Sequence, residues 1–516
     1  MMFRLCTIIL ALSILVLSHV VALAQSGDRA GDMERGEGIY QKRCLQCHGD
    51  EGDGLGPGAE RLNPPPRDFT LGLYKFKTSA FDADLPNDDD LIRMIRDGMP
   101  GTAMPGWKDL LSEQDILDVI AYIKAFAELE GAPEGQIDYG TQVATSAESI
   151  AAGDKLFHAD DRCSECHGAK GRGDAIKKLK NDNGERTWPR NLTKPWTFRA
   201  SNSPKDVFSR ITAGIPTTQM PSFADPKSKK KLSIEERWHV ANYVVSLAKT
   251  EKIVRPENTV IQAARIAGAL PTTPDDVAWD AAPPSTFFMV PQIVGKTRFF
   301  TAANDTVSVR ALYNENQIAL QLEWDDRTKS IPGDDKAASI ADEDLTEDAV
   351  AVQFPRKIPD GMEKPYFLMG DIAHPVNLWR WSAGTTEKPE SIALLDASGI
   401  EAQVPRDGGS GDLTAKGSYK DGTWRVVMTR ALTTAATDQD LQFVEGRFVP
   451  ISIFAWDGSN SEAGTHHAMT TWYWLLLKPS AGSKPIIAAI IAVLLVGGIL
   501  LWWGRSAANR KDGTAP

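Results

Sequence analysis

Cysteine is scarce in this chain, and positive charge is in deficit. Only five of the 516 residues are cysteines. Four of them form two pairs and the fifth, Cys6, lies close to the N-terminus, so no thiol remains for a structural disulfide. The formal net charge of −11 disfavours a nucleic-acid partner. The length is too great for one hydrophobic core and predicts about three or four separate units.

The paired cysteines lie in two copies of the pattern Cys-x-x-Cys-His, at residues 44–48 and 163–167. This pattern is the attachment signature of a c-type haem, because two thiols at this spacing form thioethers with the haem vinyl groups and the next histidine binds the iron. Cysteine pairs also build structural zinc sites, but the adjacent histidine and a downstream methionine in each copy favour haem. We therefore expect two covalent haems c. Their thioether donors and proximal ligands are Cys44, Cys47 and His48, then Cys163, Cys166 and His167.

A second repeated segment predicts the sixth iron ligand of each haem. Residues 98–107 contain Met99 and Met104, and residues 214–223 match them position for position, so Met104 aligns with Met220 and Met99 with Ile215. A single methionine is usually core packing, but one that recurs before a proline and an aromatic residue indicates a ligand. We expect Met104 and Met220 to bind iron. A haem held between histidine and methionine has a raised potential and suits electron transfer rather than substrate binding.

Each copy also has a Pro-Arg pair, at residues 66–67 and 189–190. A proline carbonyl there is predicted to accept a hydrogen bond from the iron-binding histidine, with the arginines facing the haem propionates. Exposed turn residues are the alternative interpretation of both pairs.

Each copy closes with a capped amphipathic helix. Ser112 and Ser233 begin capping-box patterns followed by an apolar stripe at helical spacing, which predicts a helix packed on the N-terminal helix of its own copy. With the motifs and methionines, these features resemble class I cytochromes c over about residues 33–130 and 148–250. The resemblance implies two all-α domains, each around one covalent haem.

The chain changes character after a Pro/Ala-rich linker at about residues 256–284. Beyond it, residues alternate between polar and apolar in short segments, which predicts an antiparallel β-sandwich. The predicted strands are residues 306–313, 317–324, 349–354, 423–429, 448–456 and 471–477.

Four phrases in this region, at residues 322–326, 367–371, 375–381 and 455–460, resemble the haem-b-binding γ subunits of periplasmic molybdenum oxidoreductases. That family includes ethylbenzene and dimethylsulfide dehydrogenases and the chlorate, selenate and nitrite/nitrate oxidoreductases. The resemblance covers about residues 276–478 and implies a β-sandwich holding one noncovalent haem b between a methionine and a lysine.

Met369 falls on the methionine position of that family, but no lysine lies where the second ligand is expected. The resemblance then implies His467 as the substitute, with His466 as runner-up and His374 as a less favoured alternative. A core methionine and surface histidines are the alternative interpretation of these residues.

The resemblance implies an electron-transfer subunit, itself not catalytic, that works with molybdenum/iron–sulfur catalytic subunits and a respiratory-chain electron partner. A haem enzyme of the peroxidase or nitrite reductase type needs an iron with an open position, which methionine candidates at all three sites disfavour. A third interpretation is a dihaem cytochrome c that carries a haem-free ligand-binding β-sandwich.

Residue patterns near the two ends of the chain predict that the protein is exported and anchored in a membrane. Residues 1–24 have the charged start, apolar run and small-residue cleavage site of a signal peptide, with an uncleaved anchor as the alternative. Residues 486–503 form an uncharged apolar run followed by a basic tail at 504–516, which predicts one transmembrane helix rather than a buried soluble one. The expected topology is a single-pass protein of the cytoplasmic membrane with a periplasmic ectodomain and a cytoplasmic C-terminus.

Overall fold

The structure is a computed structural model. It describes residues 31–62, 64–83, 85–100, 102–127, 135–175, 177–182, 184, 186–248, 260–295, 297–341, 343–358, 363–406, 413–479 and 483–511. Two helical regions are followed by a β-rich region, as the sequence predicts. The proposed signal peptide at 1–24 lies outside the described residues.

The first helical region is built from four helices and a short 3₁₀ turn at Ala59–Arg61. The helices are α1 (Met33–Arg43), α2 (Leu45–His48), α3 (Asp88–Asp97) and α4 (Glu113–Ala125). The predicted capping box begins α4. The Ser112 side chain accepts a hydrogen bond from the Asp115 backbone N–H, and the Asp115 side chain accepts one from the Ser112 backbone N–H. The apolar stripe of α4 is buried, with Ile116, Val119 and Ile120 at most 2% exposed.

The second helical region repeats this plan. Its elements are α5 (Ala147–Phe157), α6 (Ser164–His167), β1 (Leu179–Lys180), β2 (Arg186–Thr187), a 3₁₀ turn (Pro195–Thr197), α7 (Pro204–Ala213) and α8 (Ile234–Leu247). Ser233 and Glu236 form the predicted capping box at the start of α8. In both regions the last helix packs on the first, as predicted, and a glycine permits the close approach. A Cβ on Gly36 would lie 2.0 Å from the Asp118 carbonyl oxygen, and one on Gly153 would lie 2.1 Å from that of His239.

The β-rich region contains a fourteen-stranded sheet and short helices. Its strands are β3 (Val260–Arg265), β4 (Ser285–Phe288), β5 (Val290–Pro291), β6 (Thr306–Tyr313), β7 (Gln317–Asp325), β8 (Ala349–Pro355), β9 (Val376–Ser382), β10 (Ser391–Ala397), β11 (Gln403–Pro405), β12 (Thr414–Lys420), β13 (Thr423–Ala431), β14 (Phe448–Trp456), β15 (Ala468–Met469) and β16 (Tyr473–Leu477). Its helices are α9 (Asp335–Ile340) and 3₁₀ turns at Val277–Ala281 and Gly458–Asn460.

The strand order is β11-β10-β9-β8-β14-β16-β3-β6-β7-β13-β12, with β4 on β6 and β15 bridging β14 and β5. The pairs are antiparallel except where β3 joins β16 and β6 in parallel, at the middle of the order. One apolar core joins the two arms of this sheet. Trp324 of β7 and Trp424 of β13 contact Trp381 of β9, with ring centroids 6.3 and 4.9 Å apart. The arms therefore face each other across that core.

The C-terminal helix α10 runs from Ser483 to Lys511. The prediction that residues 486–503 span a membrane is wrong: in the described part of the chain, no helix combines the length and apolar character that a crossing requires. The predicted single-pass topology, with a cytoplasmic tail at 504–516, depended on that membrane span and is therefore wrong as well.

Candidate haem sites

The first Cys-x-x-Cys-His motif lies where α1 meets α2. Cys44 is the capping residue between α1 and α2, and α2 carries Cys47 and His48. The His48 Nδ1–H donates to the Arg67 carbonyl at 3.0 Å, and its ring stacks on Phe69 with centroids 4.5 Å apart. Burial lowers the pKa of His48, so the ring is neutral and its Nε2 lone pair faces away from the Nδ1 contact.

The second motif has the same geometry. Cys163 precedes α6, and the His167 Nδ1–H donates to the Arg190 carbonyl at 3.1 Å. Burial lowers the pKa of His167 as well. When the ring nitrogen that does not bind the metal donates a hydrogen bond, that bond fixes the tautomer and the orientation of a metal-binding histidine. Both imidazoles are therefore held ready to bind a metal through Nε2.

The accepting carbonyl is that of the arginine, so the prediction of the proline carbonyl is wrong by one residue in both copies. The Pro66 carbonyl instead faces Gly54, where a Cβ would lie 2.8 Å from its oxygen, and the Pro189 carbonyl faces Gly173 in the same way, at 2.3 Å. These glycines lie at φ +77° and +74°, a conformation that glycine adopts without strain.

The two methionine loops share one hydrogen-bond pattern. Met99 N–H donates to the Met104 carbonyl at 3.1 Å, and Ile215 N–H donates to the Met220 carbonyl at 3.0 Å. The backbone N–H of each downstream methionine also donates to a threonine hydroxyl two residues earlier. Met104 and Met220 thus occupy equivalent positions, as do Met99 and Ile215.

Each downstream methionine also packs against the same core as its cysteine. Met104 and Cys44 are half-buried on the core of the first region, and Met220 and Cys163 on that of the second. Among the described residues, the cysteines and histidines of the motifs do not converge as a metal-binding group of three or more ligand atoms.

The third site lies in the β-rich region. Met369 is fully buried in an apolar cluster with Phe454 and Trp456, and its backbone has a φ of +63°. This left-handed conformation is strained for a methionine and often marks a functional position. His467 is also 0% exposed, and its ring lies 5.2 Å from those of Phe454 and Trp456. The two predicted ligands therefore border one apolar cluster.

His467 has an unmet bonding capacity. Its Nδ1–H donates to the Gly464 carbonyl at 3.2 Å, while its buried Nε2 has no hydrogen-bond partner. Burial lowers the pKa of His467 to about 4, so the side chain is neutral at pH 7 and Nε2 is a free acceptor. An unpartnered buried acceptor is costly, and an iron ion would satisfy it.

His466 and His374, the two alternative ligands, lie in different surroundings from His467. The His466 ring is half-buried and stacks on Phe299 at 5.0 Å. His374 is exposed, and its Nδ1 lies 3.3 Å from the carboxylate of Asp371. Neither side chain shares the burial of His467.

The contacts that join the second helical region to the β-rich region were not predicted from the sequence. The buried Lys194 pairs with Asp325 at 2.8 Å, and Asn191 donates to the same carboxylate at 2.7 Å. Arg190, for which a propionate contact is predicted, pairs with Asp305 at 2.8 Å. Charged residues in Gly/Pro-rich loops give no sequence signal that separates an interdomain contact from solvent exposure.

Comparison with known proteins assigns both helical regions. The family model described as Cytochrome c matches residues 150–248, and the model described as Cytochrome C oxidase, cbb3-type, subunit III matches residues 31–123. Cytochrome c55X from Stutzerimonas stutzeri is 31% identical over 125 residues, which cover 24% of this chain and 85% of that protein. The chain belongs to the cytochrome c family.

The β-rich region of this cytochrome matches the family model described as Ethylbenzene dehydrogenase, over residues 276–399 and 397–468. Two relatives share it. The chlorate reductase subunit gamma of Ideonella dechloratans is 28% identical over 47% of this chain and 96% of its own length. A putative respiratory nitrate reductase heme subunit of Haloferax mediterranei is 25% identical over 42% of this chain and 73% of its own. The cytochrome is an electron-transfer haem protein with two cytochrome c domains and a γ-subunit-like domain.

Proposed function

We propose that this cytochrome is the electron-transfer subunit of a molybdenum oxidoreductase. It passes electrons between an iron–sulfur catalytic partner and a respiratory-chain partner, and it holds two haems c and one haem b. The similarity to a chlorate reductase gamma subunit over 96% of that subunit supports the class of partner.

The observation that carries the proposal is that every candidate site offers a histidine together with a methionine. His48 and Met104 serve the first haem c, with Cys44 and Cys47 as thioether donors. The second haem c and the haem b are held by the corresponding residues Cys163, Cys166, His167 and Met220, and by His467 and Met369. Two protein ligands to each iron leave no position for substrate. Bound haem would supply reversible one-electron transfer at a raised potential.

The chain's own residues prepare these sites. The carbonyls of Arg67 and Arg190 fix the tautomer of the proximal histidines, and the threonine contacts fix the methionine loops. In the third domain, the apolar cluster around Phe454 excludes water from the His467 nitrogen. Preorganised ligands reduce the rearrangement that accompanies a change of iron charge.

Haem content tests the cofactor part of the proposal. Pyridine haemochrome spectra and iron analysis of the purified full chain should give three irons, two as haem c and one as acid-extractable haem b. Carbon monoxide or nitrite added to the reduced protein should leave the haem c spectra unchanged. Rapid binding of either molecule at a haem c, with turnover, would favour a haem enzyme and contradict the proposal.

Co-purification tests the partner part. Gentle affinity purification of the tagged chain from its native cells should retain a molybdenum-containing subunit, with molybdenum detected by elemental analysis. Reduction of the haems by that complex on addition of substrate, or their oxidation by it, is the expected activity. A chain that carries its full haem complement but purifies without molybdenum at every salt concentration would contradict the assignment as a subunit.

A further inference from the structure

Three aspartates with no part in the haem sites meet inside the third domain. Asp326, Asp348 and Asp457 each offer a carboxylate oxygen, and these oxygens all lie within 4.8 Å of one another. All three side chains are 0% exposed. Carboxylates are among the groups least often buried without a partner, so their convergence calls for a compensating charge.

The topology of the sheet brings the three together. Asp326 follows β7, Asp348 directly precedes β8, and Asp457 directly follows β14. Strands β8 and β14 are antiparallel neighbours in which Ala349 lies opposite Trp456. The ends of these strands therefore place Asp348 beside Asp457 as a consequence of register.

Two of the six carboxylate oxygens are left without partners. The Asp348 oxygens accept hydrogen bonds from the N–H groups of Ser330 and Gly458 and from the Trp424 indole. In contrast, Asp326 Oδ2 and Asp457 Oδ2 are fully buried and have no hydrogen-bond partner. A buried unpartnered carboxylate oxygen is strongly unfavourable, so these two atoms are suited to binding a cation.

A fourth acidic side chain lies beside the three aspartates. Glu462 is 1% exposed, and its carboxylate accepts from the backbone N–H groups of Asp457 and Ala303. Burial and the neighbouring carboxylates raise the pKa of Asp348 and of Glu462 to about 8. Burial is the larger cause of these shifts and the charge of Asp457 adds to it, so a bound cation would offset the repulsive part.

We propose that Asp326, Asp348 and Asp457 bind a calcium ion. An all-oxygen carboxylate set selects hard cations over zinc or copper, which prefer nitrogen and sulfur. Calcium accepts irregular geometry within a protein cage, whereas magnesium demands a near-ideal octahedron and usually retains several waters. A fully buried set of aspartates at strand ends fits calcium better.

The calcium site borders the contact between the second cytochrome c domain and the third domain. Asp325, one residue before Asp326, pairs with Lys194. Arg327, one residue after it, donates to the Gly173 carbonyl at 3.0 Å and lies over the Trp188 ring at 4.4 Å. A cation on Asp326 therefore fixes the segment on which the cytochrome c domain is seated. This inference concerns metal binding alone and does not depend on the proposed electron partners.

Elemental analysis of the haem-loaded full chain tests the proposal. After dialysis against metal-free buffer, the protein should retain one calcium per chain, with haem iron in the same sample as the internal standard. EGTA should remove the calcium and lower Tm. Calcium chloride at about a hundredfold excess over Kd should then restore Tm, a rise of about 5–10 °C, and magnesium chloride at the same concentration should not.

Variants separate calcium binding from proton sharing among the carboxyls. Asp457→Asn should lose the calcium and the Tm response to it, while Asp438→Asn, a surface aspartate 87% exposed in the same domain, should keep both. If Asp457→Asn does not fold, the wild-type measurements decide. Absence of calcium together with a Tm that neither EGTA nor calcium changes would overturn the proposal, and equal restoration by magnesium would overturn the choice of calcium.

Discussion

Met104 and Met220 are distinguished from Met99 by position in a repeated loop, since all three are methionines before a proline. The two loops have the same hydrogen bonds, and in both the downstream methionine packs on the core that carries the cysteine. Sequence alignment of the two copies finds this equivalence without any structure.

Met104→Ala is expected to lower the potential of one haem c by on the order of 0.1 V or more, because loss of the thioether ligand removes the group that raises it. Redox titration of the full chain measures the change. Met99→Ala is the matched control and should leave all potentials in place. The opposite result would assign the ligand to Met99.

His467→Ala is expected to abolish haem b binding while both covalent haems remain, because the buried Nε2 is the predicted iron ligand. Pyridine haemochrome analysis measures the ratio of haem b to haem c in each variant. His374→Ala, which changes an exposed histidine, should retain haem b. If well-folded His467→Ala retained haem b and His466→Ala lost it, the iron ligand would be His466 and not His467.

Among single residues, the sequence predicted sites whose members lie close together along the chain. It did not predict sites whose members become neighbours only when the chain folds. The motifs and repeated methionines are local patterns. The carbonyl that accepts from His48 is one residue later than predicted, because the Gly54 backbone lies against Pro66. The three buried aspartates are separated in sequence: strand register places Asp348 beside Asp457, and the facing of the two arms of the sheet brings Asp326 to them.

Among the elements, the crossing of the first and last helices is set by one glycine in each cytochrome c domain. The α1–α4 crossing leaves no room for a side chain at Gly36, whereas Gly38, two residues later on the same helix, has nothing within 4 Å of its Cβ position. Helix periodicity predicted the buried face, but it did not predict how closely the two axes approach.

Gly36→Ala is expected to lower the free energy of unfolding by about 1–3 kcal/mol, because its methyl group would overlap the Asp118 carbonyl and force the helices apart. Gly38→Ala is the control within the same helix. It should raise the free energy of unfolding by about 0.5–1 kcal/mol, since alanine favours the helix over glycine. Denaturant titrations followed by haem absorbance measure both, and equal effects would show that the crossing is not tightly packed.

Element type was predicted better than strand order. The alternating segments that the sequence assigned as strands correspond to β6, β7, β8, β13, β14 and β16. The parallel insertion of β3 between β16 and β6 was not predicted, because the β3 residues lie within the Pro/Ala-rich segment that the sequence assigns to a linker. Such pairing depends on contacts distant in sequence, on which periodicity gives no information.

For the whole molecule, the second cytochrome c domain is fixed to the third domain through polar contacts of unequal burial. Lys194 and Asp325 are 4% and 20% exposed, whereas the Lys170–Asp421 pair at the same junction is 60% and 40% exposed. Burial decides their energies, because a buried charge left without its partner is costly and a surface pair contributes little. The junction therefore depends on Lys194 far more than on Lys170.

Lys194→Met is expected to destabilise the docked arrangement by about 3–5 kcal/mol, because it leaves the Asp325 carboxylate uncompensated, while Lys170→Met should cost less than about 1 kcal/mol. Adding Asp325→Leu to Lys194→Met should recover most of the loss. Burial, the largest single influence, would raise the pKa of Asp325 and lower that of Lys194. The partner together with neighbouring groups outweighs it, so the pKa of Asp325 is lowered and that of Lys194 is raised from their ordinary values. The carboxylate contribution is lost only as pH falls through its lowered pKa, and the ammonium contribution only as pH rises through its raised pKa. The coupling energy from the double-mutant cycle, measured by urea unfolding, should therefore stay constant from about pH 5 to about pH 9, and a coupling that disappears within that range would show that the pair is not the contact holding the domains together.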